Sequence, residues 1–275
     1  MSAVFLALAS AALFGGMTVA LRMGLRGLGD SSGAALATVI VALGVALVAA
    51  ALDLDLAGAW PFLLAGLLAP GASQILFTLA VGEVGASRTS VMVGGAPLVA
   101  VAIAVVFLDE PLSPPLLLCA LAIVSGGALL AAEKDRPGDL RRIGLVYAAG
   151  AAVLFATRDN LARALHTDAS PGTAAAATLI AGTVAAAVWT RRAPTRRELR
   201  RLAPAGLLFG LSYVCLFEAY YRGRVSVVSP LVATETFWGV GLSALLLRRS
   251  ELVGGRLVAG AVLIVAGAVL IGIYR

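Results

Sequence analysis

Charged residues are scarce in this chain. Only 13% of its 275 residues are Asp, Glu, Lys or Arg, whereas a soluble domain carries about a quarter. Hydrophobic residues make up 60% of the chain, and the mean hydropathy is +0.98. A water-soluble helical bundle cannot hide so much apolar surface, so the composition predicts an all-α integral membrane protein.

Histidine and cysteine are nearly absent, which limits the chemistry. We interpret the one histidine, His166, as a solvated loop residue rather than a proton relay. Cys119 and Cys215 fall within apolar segments and lack metal-ligand spacing. We therefore predict no metal site, no cofactor and no disulfide framework.

What the chain has in abundance is apolar segments of membrane-spanning length. A helix needs about 20 residues to cross the hydrocarbon core, where it satisfies its own backbone hydrogen bonds. The alternating pattern of barrel strands does not occur. We predict ten transmembrane helices, at residues 3–21, 32–52, 60–81, 89–108, 114–132, 143–165, 173–190, 202–221, 225–247 and 252–274.

The sequence repeats itself at a spacing of 141 positions. We therefore predict one five-helix unit at residues 1–132, a linker at 133–142 and a second unit at 143–275. The linker contains Pro137-Gly138 and mixed charge. The matched pairs are Leu13-Phe14 with Leu154-Phe155, Arg22 with Arg163, Glu110 with Glu251, and Gly126 with Gly267.

Basic residues collect in alternate loops beside helix ends. Those loops hold sixteen of the twenty-one Lys and Arg residues, six of them between Arg191 and Arg201. The opposite loops are acidic or neutral, as at Asp53 and Asp55. By the positive-inside rule the basic loops are cytoplasmic, which places both termini outside. The net charge of +6 therefore indicates topology rather than nucleic-acid binding, and contact of the Arg191–Arg201 loop with anionic lipid headgroups is a less favoured alternative.

Charges inside the predicted spans occur only in the second unit. Arg158, Asp159 and Asn160 lie in the sixth span and Glu235 in the ninth. A charge in hydrocarbon costs a few kcal/mol unless it is paired or hydrated, so we expect these side chains to face the bundle interior. Both a structural ion pair and a substrate-contacting role fit Arg158 and Asp159. Neutralised by a proton, Glu235 could also carry that proton during transport.

The third and eighth spans show matching stripes. Gln74 and Thr78 share one face of the third span, and Tyr213 and Phe217, also four residues apart, share one face of the eighth. Facing each other, such helices would form an amphipathic pocket, although ordinary packing is an alternative. Thr18 matches Asp159 across the repeat and joins these candidates.

Glycine and proline interrupt two other spans. Gly94-Gly95-Ala96-Pro97 lies in the fourth span and Ser229-Pro230 in the ninth. Breaks of this kind commonly adjoin transport sites, because the freed carbonyls need a polar cavity. We therefore predict helix bends at Pro97 and Pro230.

Together these features resemble the EamA type of the drug/metabolite transporter superfamily over essentially the whole chain. The motifs that carry the resemblance are Leu13-Phe14-Gly15-Gly16, Ala96-Pro97, Asp109-Glu110, Leu154-Phe155, Ala219-Tyr220, Glu235-Thr236 and Glu251. Each motif is degenerate alone, but their order and duplication make the resemblance fairly specific.

The resemblance implies ten transmembrane helices in two inverted five-helix repeats. It also implies a central cavity and the export or exchange of small organic metabolites such as amino acids. Two departures stand out. Relatives usually have Glu-Pro where this chain has Glu235-Thr236, and many are thought to keep both termini in the cytoplasm, whereas the loop charges here place them outside.

We therefore expect a secondary transporter of the cell membrane that works by alternating access. Arg158 would attract an anionic group, and Asp159 or Glu235 would meet an amine or carry a proton. Tyr213, Phe217 and Trp238 would supply apolar contact. A transport-inactive scaffold and an intramembrane enzyme on lipid-linked substrates are the alternatives, and the second lacks the usual catalytic residues.

Overall fold

The described part of the molecule is built from helices. The structure is a computed structural model that describes residues 2–28, 33–96, 98–99, 102–103, 114–131, 141–164, 169–223, 228, 231–247 and 254–274. The helices are α1 (Ala3–Leu25), α2 (Ala34–Leu52), α3 (Trp60–Gly66), α4 (Ser73–Val84), α5 (Ala86–Val93), α6 (Pro114–Ala131), α7 (Ile143–Ala164), α8 (Pro171–Thr190), α9 (Arg196–Arg222), α10 (Glu235–Leu246) and α11 (Gly255–Tyr274).

Five stretches within these ranges are long and apolar enough to cross a bilayer. They are Ala3–Leu25, Ala34–Leu52, Trp60–Val84, Pro171–Thr190 and Arg196–Arg222. Large apolar side chains are exposed along them, for example Val48 and Val188, as lipid contact requires. The chain is therefore an all-helical, multi-pass membrane protein, and the full count of ten spans stays a prediction.

The third span is bent, although we expected a continuous helix there. A π-helical segment, Leu67–Ala72, joins α3 to α4, and Ala69 within it has extended backbone angles (φ −144°, ψ 118°). Pro70 has no N–H to donate, so it cannot continue the preceding helix. The predicted bends at Pro97 and Pro230 both lie outside the described residues.

Small residues let α8 pack closely against this bend. A Cβ on Gly182 would lie 2.5 Å from Pro70 Cγ, and a Cβ on Gly71 would lie 2.9 Å from Ala185 Cβ. In lipid no hydrophobic driving force brings two helices together. Close van der Waals packing at small residues stabilises their contact instead. The glycines therefore fix the position of the bend within the bundle.

Basic residues of both units come together at one end of the bundle. Arg22 Nη1 of α1 donates to Gly82 O at 2.7 Å, and Arg197 Nη2 of α9 donates to Gly27 O at 2.9 Å. Arg141 Nε, just before α7, lies 3.7 Å from Glu83 Oε2. We call this the basic end.

The opposite end, which we call the acidic end, joins the close of α2 to the start of α8. Ser170 Oγ donates to the backbone oxygen of Asp53 at 2.5 Å, and the backbone N–H of Asp55 donates to Thr173 Oγ1 at 3.3 Å. The charge pattern of the loops therefore corresponds to two distinct ends of the molecule.

α9 begins six residues before the predicted eighth span, because its N-terminus is capped. Thr195 and Glu198 form a capping box, and Arg192 donates two hydrogen bonds to the Glu198 carboxylate at 2.9 and 2.6 Å. Glu198 precedes the predicted span, which begins at Leu202. The Arg192 hydrogen bonds lower the pKa of Glu198 from 4.5 to about 2.

We expect Glu198→Gln to lower the free energy of unfolding by about 1–2 kcal/mol near neutral pH, because the amide cannot pair ionically with Arg192. A carboxylate with a depressed folded-state pKa stabilises the protein above its unfolded-state pKa. It loses that effect as the pH falls through the folded-state value. The difference between wild type and variant should therefore be complete above about pH 5 and disappear toward about pH 2.

Thermal unfolding of the full chain in detergent across this pH range measures the difference. Glu218→Gln is the matched control, since Glu218 forms an i,i+4 ion pair with Arg222 at the other end of the same helix, where Arg222 is half exposed. Such exposed pairs contribute little. A Glu198→Gln difference that stays constant between about pH 5 and pH 2 would contradict the assignment.

Candidate functional site

A partly open cavity lies among α1, α5, α7, α9 and α10. It is displaced toward the acidic end, because Ser10 lies in the first half of α1 and Tyr220 lies two residues before the end of α9. Its polar lining residues are Ser10, Arg158, Asp159, Ser212, Tyr213, Tyr220 and Glu235. Its apolar lining residues are Phe14, Val93, Ala96, Phe155, Ala156, Leu216, Val232 and Ala233.

Arg158 of α7 is the buried cation of this cavity, with 4% of its surface exposed. Its Nη1 donates to the hydroxyl of Tyr213, and its Nε lies 2.9 Å from Asp159 Oδ1. The contact with Asp159 is electrostatic, since its orientation departs from hydrogen-bond geometry. The guanidinium also lies over the rings of Tyr213 and Phe155, at 5.1 and 5.7 Å from their centroids. Arg158 is therefore held from several sides.

Glu235, the first residue of α10, is the second acidic group of the cavity. It is 7% exposed and lies within electrostatic range of Asp159 and Arg158. Within the described part of the chain its carboxylate accepts no hydrogen bond and forms no ion pair. A carboxylate so enclosed requires a proton or a cation as its partner.

Glycine contacts fix the start of α10 beside the cavity. A Cβ on Gly15 of α1 would lie 2.5 Å from Trp238 Cβ and 3.0 Å from the backbone oxygen of Glu235. On the other side, α5 ends at Val93, and a Cβ on Gly94 would overlap Thr236 Oγ1. These contacts leave α10 little freedom, so Glu235 is held at the cavity wall.

Ser10 and Ser212 bridge the two units at the cavity. Ser10 Oγ donates to Ser212 O at 3.0 Å, and Ser212 Oγ donates to Ser10 O at 2.9 Å. The sequence prediction missed both residues, because a single serine within an apolar helix gives no periodic signal. Their reciprocal bonds connect α1 to α9 across 202 positions of sequence.

Aromatic rings form the wall of the cavity nearest the basic end. Phe14 packs edge-to-face against Phe77, Phe155 and Phe209, with centroid distances of 5.3, 5.9 and 5.9 Å. Phe14 and Phe155 are equivalent positions of the sequence repeat, and here they contact each other. We call these four residues the aromatic cluster.

The cavity brings together four of the residues predicted as substrate-binding: Arg158, Asp159, Tyr213 and Glu235. Other candidates are engaged elsewhere. Asn160 Nδ2 donates to Ala156 O and Thr18 Oγ1 to Phe14 O, both within their own helices.

Two aromatic candidates also lie outside the cavity lining. Phe217 packs against Phe62 at 5.8 Å, and Trp238 is 47% exposed. The close passage of α1 past Trp238 Cβ leaves the indole on the outer side of α10.

Gln74 and Thr78 are buried in α4 but do not line the cavity. Neither amide atom of Gln74 has a hydrogen-bond partner among the described residues, and the same holds for Thr78 Oγ1 and Ser73 Oγ. An unpartnered buried polar group costs about 1–3 kcal/mol. A cost of this kind is typical of functional sites.

Metal chemistry finds no support in the part of the chain that the structure describes. No group of three or more His, Cys, Asp or Glu side chains there could hold a metal ion. The cavity instead offers one guanidinium, two carboxylates, hydroxyl groups and aromatic rings. Such a set recognises a small organic molecule by charge and by apolar contact.

Multiple apolar spans around a charged internal cavity define the class of multi-pass membrane transport proteins. The family model of the EamA-like transporter family matches residues 1–132 and 142–273. The chain therefore belongs to the EamA-like transporter family, as its resemblance to the drug/metabolite transporter superfamily predicted.

Comparison with solved structures supports the fold. A crystal structure of a protein with 18% sequence identity superposes with a TM-score of 0.67, and the match covers 98% of this chain and 95% of that one. A sequence identity this low supports a shared fold and no conclusion about function. No curated protein matches the sequence.

We expect Gln74→Met to raise the free energy of unfolding by about 1–3 kcal/mol, because methionine has a similar volume and leaves no buried amide unpartnered. Thr78→Val should leave the free energy of unfolding unchanged or raise it, because valine also leaves no buried polar atom without a partner. Thermal unfolding in detergent measures both changes.

Thr18→Val is the matched control for Thr78→Val, since the Thr18 hydroxyl is bonded to Phe14 O at 3.0 Å. It should lower the stability by about 0.5–1.5 kcal/mol. If Gln74→Met were as destabilising as Thr18→Val, Gln74 would have a partner in the folded state, and our account of α4 would be wrong.

Proposed function

We propose that this protein is a secondary transporter that moves small organic metabolites, such as amino acids, through the cavity by alternating access. The observation that carries the proposal is the position of Arg158, Asp159 and Glu235 around one cavity. A scaffold protein would have no need to keep three charges beside an internal space within the membrane.

The cavity lies between helices of both sequence units, which supports a mechanism in which the units move relative to each other. α1 and α5 belong to the first unit, and α7, α9 and α10 to the second. The family relationship supports our prediction that the two units are inverted repeats related by a pseudo-two-fold axis.

We assign the present conformation as closed toward the basic end. The aromatic cluster lies on that side of the cavity, and beyond it Arg22 links the end of α1 to the carbonyl groups of Val81 and Gly82. Opening toward the basic end requires these hydrogen bonds to break.

Gln74 and Thr78 are proposed substrate contacts in the state that is open to the basic end. Their polar atoms have no partner among the described residues in the closed conformation, and they flank Phe77 of the aromatic cluster. Separation of the cluster would bring these atoms into the path of a substrate.

Transport is tested by counterflow of labelled amino acids and amines in proteoliposomes that contain the full chain. Arg158→Ala should abolish uptake without loss of membrane insertion, because Asp159 and Tyr213 would lose their shared partner. Arg222→Ala is the matched control, since Arg222 pairs with Glu218 outside the cavity. Unchanged uptake in Arg158→Ala would exclude a role for Arg158.

We propose further that the basic end faces the cytoplasm of a cell membrane, so that both termini lie outside. In a background without Cys119 and Cys215, Ala57→Cys lies on an exposed loop at the acidic end and Ala193→Cys on one at the basic end. An impermeant maleimide should label Ala57→Cys in intact cells and Ala193→Cys only after lysis. The reverse pattern would invert the assignment.

A further inference from the structure

The charges that face the cavity do not balance within the described residues. Arg158 and Asp159 are in contact and offset each other, which leaves the carboxylate of Glu235. This side chain is more than nine-tenths buried and lines the cavity without a hydrogen bond or ion pair. Among the described residues, the charge that the cavity still needs for balance is therefore positive.

Arg158 is poorly placed to serve as the main site for an anionic group. Its Nη1 is bonded to Tyr213, its Nε faces Asp159, and two aromatic rings lie beside the guanidinium. An incoming carboxylate would also approach Asp159 and Glu235, and like charges in a low-dielectric site repel strongly. The geometry thus assigns Arg158 to the protein's own network.

The remainder of the lining is apolar and aromatic. Phe14, Phe155, Leu216 and Tyr220 face the same space, while Ser10 and Ser212 satisfy each other. Such walls suit a hydrocarbon or aromatic body attached to a charged group.

We propose that the cavity binds amphipathic amines, with Glu235 as the counter-ion of the ammonium group and with no requirement for a carboxylate on the ligand. This deepens the proposed function, on which it rests, by naming the chemical group that is recognised. It also revises the expectation from sequence that Arg158 anchors an anionic group.

Three probes that share one aromatic ring separate the possibilities. 2-Phenylethylamine carries only the amine, 3-phenylpropionate only the carboxylate, and phenylalanine both. Isothermal titration of the purified full chain should show binding of 2-phenylethylamine at least about tenfold tighter than that of 3-phenylpropionate. Phenylalanine should bind no more tightly than 2-phenylethylamine, because its carboxylate meets the acidic side chains.

Glu235→Gln keeps the shape of the side chain and removes its charge. It should weaken 2-phenylethylamine binding by about tenfold or more. Glu218→Gln is the control, since this carboxylate pairs with Arg222 and does not line the cavity. It should bind the amine as the wild type does, and thermal unfolding of both variants checks that each is folded.

Tighter binding of 3-phenylpropionate, equal binding of the amine by wild type and Glu235→Gln, or binding of none of the probes would overturn the inference. The last outcome would leave a proton as the partner of Glu235. Counterflow of 2-phenylethylamine in proteoliposomes separates this inference from the proposed function. Binding without counterflow would contradict transport alone, whereas counterflow of amino acids without amine binding would contradict the inference alone.

Discussion

The structure depends on one constraint, which is that a guanidinium within a membrane-spanning bundle must be neutralised and hydrogen-bonded by its own protein. Arg158 is neutralised by Asp159 on the same helix and donates a hydrogen bond to Tyr213 on α9. Because these partners lie on different helices, satisfying the charge also joins α7 to α9. The aromatic rings around Arg158 then exclude lipid and define the cavity wall.

Helix packing without a hydrophobic driving force explains the remaining architecture. Gly15, Gly94 and Gly239 let α10 approach α1 and α5 so closely that any Cβ there would collide with a neighbour. This contact brings Glu235, from a distant part of the chain, to the same cavity as Arg158. Both sequence units therefore supply close-packing glycines and aromatic rings, whereas the charges that line the cavity come from the second unit.

The candidate residues that the structure brings to one cavity are mostly those that conflict with their surroundings. Arg158, Asp159 and Glu235 are recognisable because a charge within an apolar run has few explanations. Ser10 was missed, since serine is tolerated in any membrane helix. Trp238 was predicted to face the cavity from its proximity to Glu235, but helix orientation turns its ring outward. The capped start of α9 could have been found, because Thr195 and Glu198 have the spacing of a capping box.

The sequence by itself determined that the chain is a helical membrane protein of two similar units, where its apolar segments lie, and which charges interrupt them. Apolar length and repeat spacing encode these properties directly. Only the tertiary structure decided which face of each helix meets the cavity and which buried charge lacks a partner among the residues that it describes. The physical reason is that lipid is as apolar as the protein interior, so a membrane helix carries few polar residues to indicate which face is buried.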